Sequence, residues 1–180
     1  MKRLIFLLLF LTFLSVQIFA QNLSEVHQRI KISVENRDYP AAIAELESLA
    51  EADKKSFELN NYDYLLARLH EKNGDFANAA KNFQAVANRN SILREYALWH
   101  LSQIARSSGN LMLERTFLQE ISTYFPNSLL TKTTQKRTTQ SYFESKNYEM
   151  VIRQLQANPT TNEQKATNDS QIRENNLLLA

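Results

Sequence analysis

The chain has no cysteine, two glycines and three prolines in 180 residues. Without cysteine there are no disulfides, no thiol nucleophile and no residue to carry an N-terminal lipid, while the redox compartment stays open. So few glycines and prolines argue against a loop-rich β protein, because tight turns draw on those residues. The three histidines, His27, His70 and His100, lie 43 and 30 residues apart with no acid at metal-ligand spacing, so no metal centre and no cofactor is expected. No constellation resembling a complete catalytic site is present either, and no catalytic residue is assigned.

The first 20 residues differ from the rest. Lys2 and Arg3 precede a run from Leu4 to Leu14 that is almost entirely Leu, Ile and Phe, and the segment closes at Ile18-Phe19-Ala20. A charged start, a short apolar stretch and a small residue at the end make residues 1–20 a secretory signal peptide. The expected location is therefore exported and periplasmic, with an uncleaved N-terminal membrane anchor as the alternative. Removing Lys2 and Arg3 from the 21 basic residues leaves 19 against 19 acidic ones. A neutral mature chain gives no global electrostatic case for nucleic acid, and it engages a membrane only through the signal segment.

Internal repetition is the strongest signal in the rest of the chain. Arg37-Asp38-Tyr39, Gly74-Asp75-Phe76, Gly109-Asn110-Leu111 and Lys146-Asn147-Tyr148 align, and their apolar landmarks are 37, 35 and 37 residues apart. A short Asp or Asn before each landmark can cap a helix start, and Gly74 and Gly109 suit the left-handed turn that ends the preceding helix. Three residues after each landmark stand Ala42, Ala79, Glu114 and Val151, and seven after stand Leu46, Phe83, Leu118 and Leu155. That stripe is one face of a helix, apolar except at Glu114. The period fits a helix–turn–helix repeat of roughly 34 residues.

The expected fold class is all-α, a tetratricopeptide-like helical-repeat superhelix over residues 21–157. Its antiparallel helix pairs are 23–36 with 40–52, 58–72 with 76–88, 91–107 with 110–124, and 128–145 with 148–157. The fourth pair is weakest, since residues 131–140 hold five Thr and no large apolar side chain. Its packing is expected to rest on Leu129, Leu130, Tyr142 and Phe143. Residues 158–172 read as a polar linker or insertion. Residues 173–180 end in Leu177-Leu178-Leu179-Ala180, which matches Tyr64-Leu65-Leu66-Ala67 and reads as the start of a fifth repeat. A natural array closes on a polar capping helix, so this pattern is expected of the front piece of a longer protein.

The run from Asn90 to Asn110, which contains Tyr96-Ala97-Leu98-Trp99-His100-Leu101-Ser102-Gln103-Ile104-Ala105-Arg106, is the most individual part of the sequence. With Tyr64-Leu65-Leu66-Ala67-Arg68 and Phe125-Pro126-Asn127-Ser128-Leu129-Leu130, it resembles the N-terminal superhelical domain of soluble lytic murein transglycosylases. The resemblance implies a signal peptide, a ring of helix pairs and a lysozyme-like domain farther along, in a periplasmic protein that cleaves peptidoglycan glycan strands. That family's catalytic domain pairs a Glu-Ser motif with a Gly-Leu-Met-Gln segment. Here Glu144-Ser145 stands without that segment and reads as a solvent-facing pair, so it inherits no role.

Candidate contacts to a glycan or a protein partner remain. Trp99-His100 offers an aromatic platform or plain repeat packing, and packing is favoured. Lys132, Lys136 and Arg137 form the one basic cluster of the mature chain. They suit either a partner bearing carboxylates, such as peptidoglycan stem peptides, or a solvated helix face, which is favoured. Three functions follow: a non-catalytic domain that holds the glycan strand for a cleaving enzyme, a periplasmic scaffold that binds proteins or peptides on its repeat surface, or, with residues 4–20 kept in place, a membrane-anchored assembly factor.

Overall fold

In the computed structural model of the chain, residues 24–157 are described. They form nine helices and no strand. In chain order these are α1 (24–35), α2 (Tyr39–Ala52), α3 (Lys54–Leu59), α4 (Tyr62–Lys72), α5 (Phe76–Asn88), α6 (Arg94–Ser107), α7 (Leu111–Tyr124), α8 (Thr131–Glu144) and α9 (Tyr148–Ala157). The segments read as a signal peptide (1–20), a linker (158–172) and a repeat start (173–180) lie outside the described residues. No described helix is long and apolar enough to cross a membrane. The chain divides into two compact units, Met1–Leu93 and Arg94–Ala180.

One local geometry recurs at the four aligned turns. Arg37, Gly74, Gly109 and Lys146 all adopt positive φ, at 60°, 80°, 78° and 58°. The next residue then donates its backbone N–H five residues back: Asp38 to Ser33, Asp75 to His70, Asn110 to Ala105 and Asn147 to Tyr142, at 2.8–2.9 Å. This closes the carbonyl end of the outgoing helix. The same residue's side chain accepts from the backbone N–H of Ala41, Asn78, Leu113 or Met150 at 3.0–3.2 Å and so caps the incoming helix. Hydrogen bonds from the Asn78 side chain and backbone hold the Asp75 carboxyl below the usual carboxylate range. With a folded pKa below the unfolded one, the contribution of this cap is complete above the ordinary carboxylate range. It is lost as pH falls through the lowered value.

Within the first unit, Val26 and Ile30 of α1 pack with Ile43 and Leu46 of α2, Phe57 of α3 and Leu66 of α4. Phe83 of α5 is completely buried, with the Tyr64 ring edge-on at 5.6 Å. The helix expected over 58–72 is in fact two. Asn61 takes positive φ (57°) and breaks it, a conformation that Asn tolerates better than most residues. The chain reaches that break through Asp53, which ends α2 by donating to the Leu49 carbonyl and caps α3 at the Ser56 N–H. The Asn61 side chain is itself used, accepting from Ser91 Oγ at 2.7 Å and Arg89 Nη2 at 3.1 Å. Arg89 also forks onto the buried Asp63 carboxylate at 2.6 and 3.0 Å. This clamp holds residues 89–93 out of helix, so the helix expected from 91 begins at Arg94.

The second unit is built from α6 to α9. Ala97, Leu98 and Leu101 of α6 face Phe117, Leu118 and Ile121 of α7, all buried. The helix expected from 128 begins at Thr131, because Ser128 Oγ accepts from the Leu130 N–H in a tight turn. Leu129 and Leu130 therefore lie before α8, and Leu129 is 94% exposed instead of holding the helix in place. The residues that α8 buries are Thr134 and Ser141. Its other hydroxyls bond back along the helix, Thr138 to the Thr134 carbonyl and Thr139 to the Gln135 carbonyl. Of the two buried residues, the Ser141 hydroxyl is met from α7, donating to the Leu111 carbonyl at 3.2 Å and accepting from Arg115 at 3.1 Å, whereas the Thr134 hydroxyl has no partner.

The expected inward stripe holds at its second and third positions more than at the landmark. Ala42, Ala79, Glu114 and Val151 are buried, as are Leu46, Phe83 and Leu118, while Leu155 is only partly buried and Phe76 and Tyr148 are half exposed. The tightest position is three residues into each helix, not the landmark. Phe83→Ala, which empties a fully enclosed site, is expected to destabilise the fold by about 3–5 kcal/mol in chemical denaturation. A loss below about 1 kcal/mol would place Phe83 outside the core.

Candidate functional site

The tight position three residues into the helix holds Ala42 in α2, Ala79 in α5 and Val151 in α9, but Glu114 in α7. Its side chain is fully buried. A buried carboxylate is strongly disfavoured unless it is paired, and two guanidinium groups pair it. Arg137 of α8 donates to Glu114 Oε1 through Nη2 at 2.8 Å and Nε at 3.2 Å, and Arg106 of α6 approaches the same oxygen at 3.5 Å. Arg106 also donates to Glu144 at the end of α8. Burial alone would lower the Arg106 pKa. The bond to Glu144 and the charges of Glu114 and Glu144 outweigh it and hold the guanidinium above its ordinary value. Glu114 Oε2 and the buried Thr134 hydroxyl have no hydrogen-bond partner within the structure.

Four charged side chains thus tie three helices together. The expected site residues divide over this arrangement. Arg137 lies over the Trp99 ring at 5.9 Å from its centroid, so those two meet. His100 is half buried on α6, next in sequence to Trp99, while Lys132 and Lys136 are exposed on α8 away from the ion-pair lattice. One correction follows for the reading of these residues: Arg137 does not belong to a free basic cluster, because its fork is engaged by Glu114. Glu144 and Ser145 are exposed at the end of α8, as expected, while Glu144 also pairs with Arg106 and the Ser145 hydroxyl accepts from Arg115 at 3.2 Å.

Arg106 and Glu114 were missed as site residues. The signal was available at Glu114, the single polar residue on an otherwise apolar stripe, but nothing in the sequence named its partners. Arg115 forms a parallel link, donating to the Ser141 carbonyl and hydroxyl at 3.1 Å with its guanidinium 4.6 Å from the Tyr142 ring centroid. Among the described residues no group of three or more His, Asp or Glu could hold a metal. His27 instead bonds Tyr62, and His70 lies between Asp75 and Glu47 at 3.3 and 4.0 Å.

Chemically, the lattice fixes helix positions and presents a guanidinium–indole stack. Glu114→Ala installs the residue found at positions 42 and 79, yet leaves two partly buried arginines without their common partner. The expected cost is about 3–5 kcal/mol by chemical denaturation. Adding Arg137→Met to Glu114→Ala should recover part of that loss, with a coupling of about 1–3 kcal/mol. Simple additivity would show that the pair is not coupled. No protein-family model matches the chain, and comparisons with curated proteins and with solved structures give no significant match.

Proposed function

We propose that the chain is a tetratricopeptide-like superhelical repeat domain of a periplasmic, peptidoglycan-cleaving lytic transglycosylase, that it does no chemistry itself and that it holds the glycan strand. The observation that carries the repeat reading is the same turn and cap at Arg37, Gly74, Gly109 and Lys146, spaced 37, 35 and 37 residues. Stacked repeats of this kind serve as extended binding surfaces. The peptidoglycan reading is supported by the resemblance of residues 90–110 and by the signal-like segment 1–20. Residues 94–107 of that stretch form α6, which carries Trp99 and Arg106. The guanidinium–indole stack of Arg137 and Trp99 is the contact surface this reading nominates.

The reading places no acid for glycoside cleavage in this chain. Such cleavage uses a carboxylic acid of raised pKa together with a second carboxylate beside a sugar cleft. Glu114 and Glu144 are both engaged by arginines instead. A second reading, a periplasmic scaffold for proteins or peptides, is favoured by Met112 and Leu113, which leave the start of α7 apolar and exposed.

The test incubates the 180-residue chain with purified cell-wall sacculi and measures co-sedimentation and release of soluble muropeptides. The expected result is sedimentation with the sacculi and no release. Release of muropeptides would contradict the assignment of no chemistry. Failure to sediment, together with retention of a protein partner, would replace the peptidoglycan reading with the scaffold reading.

A further inference from the structure

A separate surface lies at the end of the second unit where α6 begins, α7 ends and α8 begins. The Arg94 guanidinium lies 4.6 Å from the Tyr124 ring centroid, which places the first residue of α6 beside the last of α7. The tight turn that follows holds Leu129 clear of the helices, 94% exposed, and Tyr124, five residues before it at the end of α7, is 58% exposed. These side chains have no part in the ion-pair lattice described above.

The charge around them has one dominant sign. Residues 121–143 contain Lys132, Lys136 and Arg137 and no acid. Among the described residues Arg94, Lys132 and Lys136 are paired with no carboxylate, and the Arg94 Nε is buried without a hydrogen-bond partner. Glu95 and Glu120 lie on the α6 and α7 side of the same end. The turn and the α8 side therefore carry cations only.

We propose that this end docks on the surface of an anionic lipid bilayer. An aliphatic tip that enters the acyl boundary, a tyrosine at the headgroup level and unpaired cations facing lipid phosphates are the parts such docking needs. Charge complementarity selects the lipid, because the cations next to Leu129 have no acid of their own to answer.

The apolar run from Leu4 to Leu14 gives the full chain a second route to lipid, so the readout is placed at residue 129 itself. The full chain carrying Leu129→Trp is mixed with phosphatidylcholine vesicles, with and without phosphatidylglycerol, some containing brominated acyl chains. The wild-type chain supplies the Trp99 baseline. Leu59→Trp is the control, since Leu59 is 71% exposed in the first unit. The indole at 129 is expected to shift blue and to be quenched by brominated lipid several-fold more than the indole at 59. Adding Lys132→Glu and Lys136→Glu, or omitting phosphatidylglycerol, is expected to abolish that difference. Equal quenching at the two positions overturns the proposal, even where the chain as a whole binds vesicles. Quenching at 129 that ignores the lysines and the lipid charge overturns it as well. Circular dichroism of each variant confirms the helical content, which substitutions at these exposed sites leave intact.

Discussion

At each of four turns one short polar residue serves two helices at once, and the fold depends on that double service. Asp38, Asp75, Asn110 and Asn147 give their backbone N–H to the helix that ends and their side-chain oxygen to the helix that begins. Helix termini leave unsatisfied donors and acceptors, and a connection of two or three residues has little else with which to meet them. The geometry requires the preceding residue to adopt positive φ. Gly74 and Gly109 do so without strain, whereas Arg37 and Lys146 do so against a side-chain penalty of about 1–2 kcal/mol. The outer two turns are thus held by caps and packing, and the inner two also by sequence.

The turns were legible in the sequence because their chemistry is local. A glycine followed by Asp or Asn and then an apolar landmark signals a stop and a start within three residues, and aligning the four segments extends the reading to Arg37 and Lys146. Other breaks were not legible. Asn60-Asn61 interrupts a stretch with good helical periodicity, and its left-handed residue is supported by Arg89 and Ser91 from far along the chain. Leu129 and Leu130 were read as core because they are apolar, but the Ser128 turn puts them ahead of the helix. The lattice around Glu114 was the least legible of all. Its partner Arg137 lies 23 residues away on another helix, and no local pattern announces that pairing.

The second unit answers a weak sequence with electrostatics. Helix α8 offers Thr134 and Ser141 to the interior where a typical packed helix offers Leu or Phe, so dispersion and hydrophobic burial contribute less there. Arg137 and Glu144 then link α8 to Glu114 and Arg106, and Arg115 on α7 binds Ser141 from the other side. Buried ion pairs add little net stability compared with apolar packing, but they penalise wrong pairings strongly. This arrangement favours one register of α8 over others that a Thr-rich helix would accept. It also leaves Lys132 and Lys136 outside the lattice and exposed.

The central claim is that one turn geometry closes every aligned pair of helices, including the two without glycine. Solution NMR of the chain tests it most directly, through backbone chemical shifts and the intraresidue amide-to-α-proton NOE at Arg37 and Lys146. The account predicts left-handed φ at both residues, with the Ala41 and Met150 amides protected from exchange by their caps. Right-handed helical φ at either position, with the helix continuing through the turn, would contradict it.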